Sequence, residues 1–343
     1  MSLARAIRGS NWIEGYRATL DDVLDTMEDE EPLDASAETR AALEGYRDAM
    51  TFILRLADDG AGVDESLLRS LHFMMTKHDA RADPGSYRRG DVRVEDEDGT
   101  VVYQAPDAEV VTELMAELFD DISALDDTPT MVRAAMAHLN LVMIHPFRDG
   151  NGRMARALQT LILAREGIVS PEFSSIEEYL GRNTEAYYAI LSEVGQGRWA
   201  PQNSARPWIQ FVLTAHYRQA WIVERRIHET ERLYDAIEQL VARSDLPARS
   251  VGVLADAARG RRIRRSNYLK LVEMTTGDAI SDLTATRDLK ALVDSGVLEP
   301  RSAGRGRSYF GTYDLRELWA DILDSRPPPA ENDPYLPQPH RGE

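Results

Sequence analysis

The chain has 343 residues, no cysteine and a formal net charge of −18. Disulfides and thiolate chemistry are therefore excluded, and the molecule as a whole repels nucleic acids and anionic membranes. The sequence shows neither the apolar core of a signal peptide near its N-terminus nor an apolar run of membrane-spanning length. We therefore expect a cytoplasmic protein of two or three domains that makes no contact with a membrane.

Apolar residues recur at helical spacing through most of the first 243 residues, which predicts a mainly α protein. The helix-period segments are residues 67–78, 108–125, 131–145, 154–167 and 205–243. Between the first two of these, residues 85–106 contain two short β-prone runs on either side of an Asp-Glu-Asp-Gly turn. This pattern predicts a β-hairpin in an otherwise helical region.

The composition changes near Ser244, and five arginines follow between Arg259 and Arg265. An amphipathic run with threonine capping candidates, Thr284 and Thr286, leads to a strand, a glycine-rich turn and a second strand over residues 297–310. Helices followed by a basic β-hairpin are typical of a winged helix-turn-helix. The proline- and charge-rich residues 321–343 are expected to be a disordered tail.

A dense motif, HPFRDGNGRMAR, occupies residues 145–156 between two helix-period segments. It is therefore predicted to be a loop that leads into a helix N-terminus, where free N–H groups and a partial positive charge favour an anion. Gly150 and Gly152 allow the backbone to curl so that its N–H groups converge on phosphate oxygens. Asn151 is suited either to cap the helix or to donate to the same oxygens.

The charged residues of the motif complete a site for phosphate chemistry. Arg153 and Arg156 are neighbours on one helix face, from which two guanidinium groups can bind a polyphosphate. Asp149 offers a hard oxygen ligand to Mg²⁺, and His145 can accept a proton from an attacking hydroxyl. Each of these residues alone is more often structural. All of them at this spacing favour attack of a hydroxyl on a nucleotide phosphate.

The motif resembles the signature of the Fic family, H-x-F-x-[DE]-G-N-G-R-x-x-R, and matches every fixed position. The resemblance extends over about residues 10–223 and implies a Fic-type helical bundle with a β-hairpin flap. The implied reaction transfers AMP from ATP to a Ser, Thr or Tyr hydroxyl of a target protein or of the chain itself, with release of pyrophosphate. The expected organisation is an N-terminal helical region (1–60), a Fic core (61–243), a winged helix-turn-helix (244–320) and the tail (321–343).

The resemblance also implies a role for each position of the motif. His145 is expected to be the general base, Asp149 to hold Mg²⁺ on the α- and β-phosphates, and Arg156 to hold the γ-phosphate. The implied nucleotide- and phosphate-binding residues within the motif are Phe147, Arg148, Gly150, Asn151, Gly152, Arg153 and Arg156. Pro146 and Phe147 are also expected to set the turn and to bury an anchor. Relatives that replace the acid and the second glycine run other reactions, so Asp149 and Gly152 favour AMP transfer here.

Two further segments resemble parts of the family. The hairpin at 85–106 is placed like the family's flap, which pins the target segment by strand pairing, although a plain surface hairpin is the alternative. Residues 182–191 resemble a segment on the adenine side of the site, which implies that Asn183, Tyr187 and Tyr188 line the nucleoside pocket. Tyrosines at helical spacing are also common in protein cores, and this alternative stays open.

The N-terminal residues 10–16, SNWIEGY, fit the family's inhibitory pattern [ST]-x-x-x-E-[GN] through Ser10, Glu14 and Gly15. In relatives the glutamate pairs with the second arginine of the motif, which is Arg156 here. A carboxylate in that position takes the donors that the γ-phosphate needs and misplaces the phosphates for in-line attack. Some relatives use the same glutamate to position a water that removes AMP from a modified target. Glu14 is therefore expected to inhibit transfer, to support de-AMPylation, or to do both.

The C-terminal region is compatible with two kinds of binding partner. Arg287 and Lys290 on the expected recognition helix, with Arg301, Arg305 and Arg307 on the wing, would favour DNA phosphates. Winged domains also bind proteins, and the acidic balance of the chain favours that reading slightly. Residues 259–310 are thus expected to contact DNA or a protein. Members of the family often dimerise, so a homodimer is also expected. Neither the target nor the nucleotide preference follows from the sequence.

Overall fold

The computed structural model describes residues 1–326 except 31, 33, 61, 97, 125, 126, 168–174 and 303–306. The chain forms two compact units, of which the first is Met1–Val223 and the second begins at Glu224. This boundary lies earlier than the predicted one at residue 243, because a single helix, Arg206–Arg243, contributes to both cores. Its buried residues Trp208 and Val212 pack in the first unit, and Leu233 and Ile237 pack in the second.

The first unit is helical, as the sequence predicts. Its helices are α1 (Ser2–Ile13), α2 (Leu20–Met27), α3 (Ala37–Asp59), α4 (Glu65–Thr76), α5 (Val111–Ser123), α6 (Thr130–Ile144), α7 (Asn151–Arg165), α8 (Glu177–Arg182), α9 (Thr184–Gly195) and the start of α10 (Arg206–Arg243). Short 3-10 turns at Ala80–Ala82 and Ala108–Val110 precede and follow the hairpin region.

Helix α7 lies at the centre of this unit and is buried on nearly all sides. Met154, Ala155, Ala157 and Leu158 have no exposed surface, and α6, α3, α4 and α1 all pack against α7. Burial of a large aliphatic side chain contributes about 1.5–3 kcal/mol, so this surrounding shell fixes α7 firmly. The residues at the N-terminus of α7 are therefore held on a rigid support.

The predicted hairpin is present, with β1 (Arg93–Glu95) antiparallel to β2 (Val101–Gln104). Val94 lies opposite Tyr103, and the register shifts after Val94. On its other side Gln104 bonds to the backbone beyond α9: its N–H donates to Gly197 O at 2.9 Å. The hairpin is thus joined to the helical body along β2, while the short strand β1 lies on the outer side.

The second unit contains the end of α10, then α11 (Val251–Ala258), α12 (Arg265–Thr276), α13 (Asp282–Asp294), β3 (Leu298–Ser302), β4 (Arg307–Gly311) and α14 (Tyr313–Asp324). Strands β3 and β4 pair antiparallel, and Ile263 bridges to Tyr309 at the free edge of β4. The order of helices and hairpin is the predicted one. The cap of α13 differs, because Ser281, not Thr284 or Thr286, accepts the first free N–H, from Thr284.

The predicted start of the disordered tail, residue 321, lies within helix α14. Helix α14 continues to Asp324 because Ile322 packs into the core of the second unit. Residues 327–343 of that tail, and the predicted wing residue Arg305, lie outside the described residues. Across the part of the chain that the structure describes, no helix has the length and apolarity needed to cross a membrane.

Candidate functional site

The motif forms a tight loop between α6 and α7, as its sequence predicts. Helix α6 ends at His145, whose backbone is left-handed with φ 53° and ψ 55°. Gly150 precedes α7 with φ 80°, a conformation that glycine adopts without the steric cost of a Cβ. The first turn of α7, from Asn151, therefore directs its free N–H groups toward the loop, and these suit an anion.

Asn151 shapes the loop through both ends of its side-chain amide. Its Oδ1 accepts from Phe147 N at 2.9 Å, and its Nδ2 donates to Phe147 O, also at 2.9 Å. The side chain is buried. The expected capping role of Asn151 is not observed, because its amide bonds to Phe147 in the loop and no side-chain hydrogen bond caps α7. Donation to phosphate stays a prediction.

His72 supports the loop, and it was not among the residues predicted from the sequence. Its ring stacks on Phe147 with the centroids 3.8 Å apart and the planes within 7° of parallel. Gly85 N donates to His72 Nδ1 at 2.9 Å, so Nε2 carries the proton and donates to Asp149 O at 3.0 Å. Burial lowers the pKa of His72 to about 4. The imidazole is thus a neutral support that links α4 to the loop.

His145 presents one ring nitrogen to the site. Its Nδ1 lies 3.1 Å from Val142 O and donates to it, so Nε2 is the unprotonated nitrogen. Burial lowers the pKa of His145, and the nearby Arg88 lowers it further, while the Val142 hydrogen bond and the Glu14 and Asp149 carboxylates oppose these effects. The lowered pKa keeps the imidazole neutral at physiological pH, which is the state a general base requires.

The charged residues of the loop differ in exposure to solvent. Arg148 is exposed, and the Asp149 side chain is 53% exposed. Arg153 is buried beneath the loop, where its Nη2 donates to Asp149 Oδ2 at 3.3 Å and its guanidinium lies over the ring of Tyr16. Arg153 therefore orients the exposed carboxylate from below.

Arg156 contacts residues 10–16 at the end of α1, which the sequence predicts to be an inhibitory segment. Its Nε donates to Ser10 Oγ at 2.8 Å and its Nη2 to Ser10 O at 3.0 Å. The same Nη2 forms an ion pair with Glu14 Oε1 at 2.7 Å. The Arg156 side chain is 1% exposed and that of Glu14 is 20% exposed, so this pair is largely withdrawn from water.

Glu14 lies directly over the start of α7. A Cβ added to Gly152 would lie 2.5 Å from Glu14 Oε1, so a glycine is required for the carboxylate to approach this closely. Gly15 follows Glu14 with φ 87° and ends the helical backbone there. The carboxylate therefore occupies the first turn of α7, where the helix dipole stabilises negative charge.

The three residues expected around the nucleoside are not equivalent. Tyr187 is buried in the core, where its hydroxyl bonds to His138 Nε2 at 3.0 Å, so its contacts are those of a core residue. Tyr188 is half exposed and its hydroxyl donates to Ile13 O at 3.3 Å, beside the inhibitory segment. Asn183 lies between α8 and α9 and donates to Tyr179 O at 2.8 Å.

A divalent cation would have to use Asp149. Among the described residues no group of three or more His, Asp or Glu side chains is arranged to hold a metal by itself. Mg²⁺ commonly binds through one or two carboxylates together with substrate phosphates and water. The single exposed carboxylate of Asp149, next to a helix N-terminus suited to phosphates, fits that mode.

Several basic residues of the second unit are paired with acids of the same unit. Arg261 pairs with Asp256 at 2.7 Å and Arg265 with Asp282 at 3.1 Å. Lys290 pairs with Asp294, and Arg301 pairs with Glu299 at 2.7 Å. These ion pairs reduce the positive potential at the surface of residues 259–310, which the sequence predicts to contact DNA or a protein.

Comparison with known proteins gives a family match that includes the motif. Residues 62–163 match the sequence model of the Fic/DOC family. The protein adenylyltransferase fic-1 of Caenorhabditis briggsae is 37% identical over 119 residues, covering 33% of this chain and 21% of the relative. The protein adenylyltransferase Fic of Nematostella vectensis is 32% identical over 146 residues, covering 41% of this chain and 30% of the relative. The chain thus spans less than a third of the length of either relative.

Solved structures show the same fold. A Fic family protein from Desulfovibrio desulfuricans G20 superposes with a TM-score of 0.56 at 23% identity, covering 91% of this chain and 86% of that one. Fic-1 from Caenorhabditis elegans superposes with a TM-score of 0.54 at 21% identity, covering 67% of this chain and 63% of that one. The motif and the match to the family's sequence model identify residues 62–163 as a domain of the Fic/DOC family, and the solved structures share its fold.

Proposed function

We propose that the chain is a protein adenylyltransferase that transfers AMP from ATP to a hydroxyl side chain of a target protein or of itself. The matched relatives carry the name protein adenylyltransferase, and their similarity covers the Fic domain. The neutral Nε2 of His145 is available to take the proton of the attacking hydroxyl. That oxygen then attacks the α-phosphorus, and pyrophosphate leaves.

The helix N-terminus supplies the phosphate site in this proposal. The backbone N–H groups of residues 151 and 152 receive phosphate oxygens, and Arg156 binds the γ-phosphate from the floor of the site. Asp149 would hold Mg²⁺, which neutralises charge on the phosphates. Arg153 contributes by orienting Asp149 from beneath the loop. Phe147 and Asn151 keep the loop closed through their mutual hydrogen bonds.

We propose further that Glu14 keeps this activity low. The observation that carries this proposal is the position of its carboxylate, over Gly152 and bonded to Arg156. A γ-phosphate bound to Arg156 would meet a negative charge already there, and the two cannot share the same donors. ATP would then bind with its phosphates displaced from in-line geometry, which lowers the rate steeply.

The test uses ATP labelled at the α-phosphate, with Mg²⁺, and compares the parent chain, Glu14→Gly, and Glu14→Gly with His145→Ala. We expect label on protein, either the chain itself or lysate proteins, only with the single variant. A matched control is Glu185→Gly, which changes an exposed glutamate of α9 distant in sequence from the inhibitory segment. It is expected to behave as the parent.

The other results have distinct meanings. Label on the parent and Glu14→Gly alike would contradict inhibition by Glu14 but not AMP transfer. No label with any variant, but loss of AMP from a labelled target that requires Glu14, would favour the de-AMPylase alternative. In that case Glu14 would position the attacking water.

For the second unit we propose a winged helix-turn-helix that contacts a protein partner. The order α11, α12, α13, β3, β4 matches that of a winged helix. The intramolecular ion pairs of Arg265, Lys290 and Arg301 favour a protein over DNA.

A further inference from the structure

The C-terminus of α6 carries His145, and its last carbonyl groups need partners. The last four carbonyl groups of an α-helix receive no hydrogen bond from within the helix. When they are buried, donors from other parts of the chain or from water must bond to them. Val142 O is bonded by His145 Nδ1. The next four carbonyls, those of residues 143–146, all accept from residues of the hairpin region 85–106.

Arg88 provides three of these bonds. Its Nε donates to His145 O at 2.8 Å, its Nη2 to Ile144 O at 3.4 Å, and its backbone N to Pro146 O at 2.9 Å. The same guanidinium holds the hairpin region together, since Nη1 donates to Gly90 O at 3.0 Å and Nη2 donates to Pro106 O. One side chain thus joins both ends of the hairpin region to the residue that bears the imidazole.

Tyr103 provides the fourth bond. It lies on β2, its hydroxyl donates to Met143 O at 2.7 Å, and its ring is buried. Hydrogen bonds from the hairpin region therefore satisfy the last two carbonyls of α6, those of Met143 and Ile144, and the carbonyls of the two residues that follow, His145 and Pro146. They hold His145 in its left-handed conformation, which a non-glycine residue adopts only at a cost.

We infer that Arg88 is a positioning residue for the proposed AMP transfer: by capping α6 it fixes the backbone of His145 and so aims Nε2 at the attacking hydroxyl. This inference rests on the proposed function and adds a residue outside the motif. Arg88 acts through His145 and does not itself touch the phosphates in this role.

The chemistry of Arg88 suits this function. Its side chain is 5% exposed, and within the described residues its hydrogen bonds go to backbone carbonyls. A guanidinium offers donors in a fixed planar fork, so it can reach Gly90, Pro106, Ile144 and His145 at once. Its positive charge lies at the C-terminal end of α6, where the helix dipole favours a cation. Lysine has a single head group and cannot reproduce this arrangement.

The test places Arg88→Met in the Glu14→Gly background and measures AMP transfer at saturating ATP and Mg²⁺. Misplacement of a reacting group by about 1 Å costs on the order of 100-fold in rate, so we expect kcat to fall by about that factor. ATP affinity, measured by calorimetry, should stay within about twofold, because the phosphate site on α7 is intact. Arg88→Lys should recover only part of the rate.

Arg89→Met is the matched control. Arg89 is the exposed neighbour of Arg88 on the same segment, and its variant should transfer AMP at the rate of Glu14→Gly. Thermal unfolding of each variant identifies those that no longer fold. Equal losses of kcat in the Arg88 and Arg89 variants, or loss of ATP binding in folded Arg88→Met, would overturn the inference.

A second readout does not depend on activity. Imidazole ¹⁵N shifts of His145, assigned by comparison with His145→Ala, report which nitrogen carries the proton. We expect one fixed Nδ1-protonated tautomer with Arg88 and exchange between tautomers in Arg88→Met. Should Glu14→Gly transfer no AMP, the proposed function fails, and this spectrum still decides the inference. An unchanged tautomer in Arg88→Met would refute it.

Discussion

At the scale of single residues, Glu177 is a buried acid whose carboxylate is only partly hydrogen-bonded within the described residues. Its side chain is 1% exposed, Tyr46 Oη donates to its Oε1 at 2.5 Å, and its Oε2 has no hydrogen-bond partner among the described residues. Burial raises the pKa of Glu177 to about 7, against the opposing effects of Tyr46, Arg156 and Ser175. A carboxyl group with a raised pKa makes folding depend on pH.

The sign of this dependence follows from the protons bound. Between about pH 4.5 and 7 the folded protein keeps the Glu177 proton that the unfolded chain has lost. The contribution of Glu177 to the free energy of unfolding is therefore largest below pH 4.5 and falls as the pH rises to 7. We expect Glu177→Gln to remove this loss and to be more stable than the parent at pH 8, by on the order of a few kcal/mol.

Urea unfolding at pH 5 and pH 8 measures this difference. Glu185→Gln, on the exposed face of α9, serves as the control and should follow the parent at both values. If Glu177→Gln lost as much stability between the two pH values as the parent does, Glu177 would not be the group responsible.

Some residues of the site could be predicted from the sequence, and others could not. The motif residues act together at fixed spacing, so the loop and the helix start could be predicted. The Glu14–Arg156 pair was implied by the resemblance to the family's inhibitory pattern, and the structure contains it. His72 and Arg88 could not, because each is a single residue whose partners are distant in sequence. Tyr187 has the spacing expected of a pocket residue, but its bond to His138 places it in the core, and helical periodicity does not separate the two cases.

At the level of secondary-structure elements, the inhibitory segment depends on close packing of α1 against α8. Gly9 and Gly181 lie at the crossing. A Cβ on Gly181 would lie 2.7 Å from Gly9 Cα, and one on Gly9 would overlap the backbone of Glu177. Both helices therefore approach at backbone distance, and this approach places Ser10 and Glu14 against Arg156.

Gly181→Ala should separate α1 from α8 and weaken the inhibition. We expect more AMP transfer than with the parent but less than with Glu14→Gly, together with a loss of stability of about 1–3 kcal/mol from overpacking. Labelling and urea unfolding provide the two measurements. Gly62→Ala is the control, because a Cβ there would meet nothing within 4 Å.

A folded Gly181→Ala variant with the labelling of the parent would show that α1 holds Glu14 in place without this crossing.

The helices and strands themselves were largely predictable from the sequence, since helical periodicity and the Asp-Glu-Asp-Gly turn are local signals. The Gly9–Gly181 crossing was not, because close packing between helices leaves no periodic trace. The predicted start of the second unit at residue 244 lies later than the observed start at Glu224, because α10 continues through this boundary and its periodicity does not mark where one core ends.

At the scale of the whole molecule, the net charge and the pairing of basic residues determine how strongly the second unit can bind DNA. The chain carries a net charge of −18, and Arg261, Arg265, Lys290 and Arg301 are each paired with an acid of the same unit. DNA binding by Lys and Arg weakens steeply with salt, so partly neutralised side chains leave little affinity at physiological ionic strength.

We therefore expect the full chain to show no saturable binding to duplex DNA at about 150 mM salt. Fluorescence anisotropy with a labelled duplex, titrated at low and at physiological salt, is the measurement. Saturable binding at the higher salt that is lost in Arg287→Ala would instead establish the DNA-binding alternative, since Arg287 is exposed on α13.

The inhibitory segment and the site it occupies belong to one polypeptide, joined through α2, α3 and the helices that follow. In the proposed inhibition, the carboxylate of Glu14 therefore competes with ATP at an effective concentration set by the tether and not by the amount of protein. Dilution of the protein leaves this competition unchanged, whereas an inhibitor on a separate molecule would dissociate. Only an event that alters the docking of α1, or a ligand that binds its undocked form more tightly, can shift the balance.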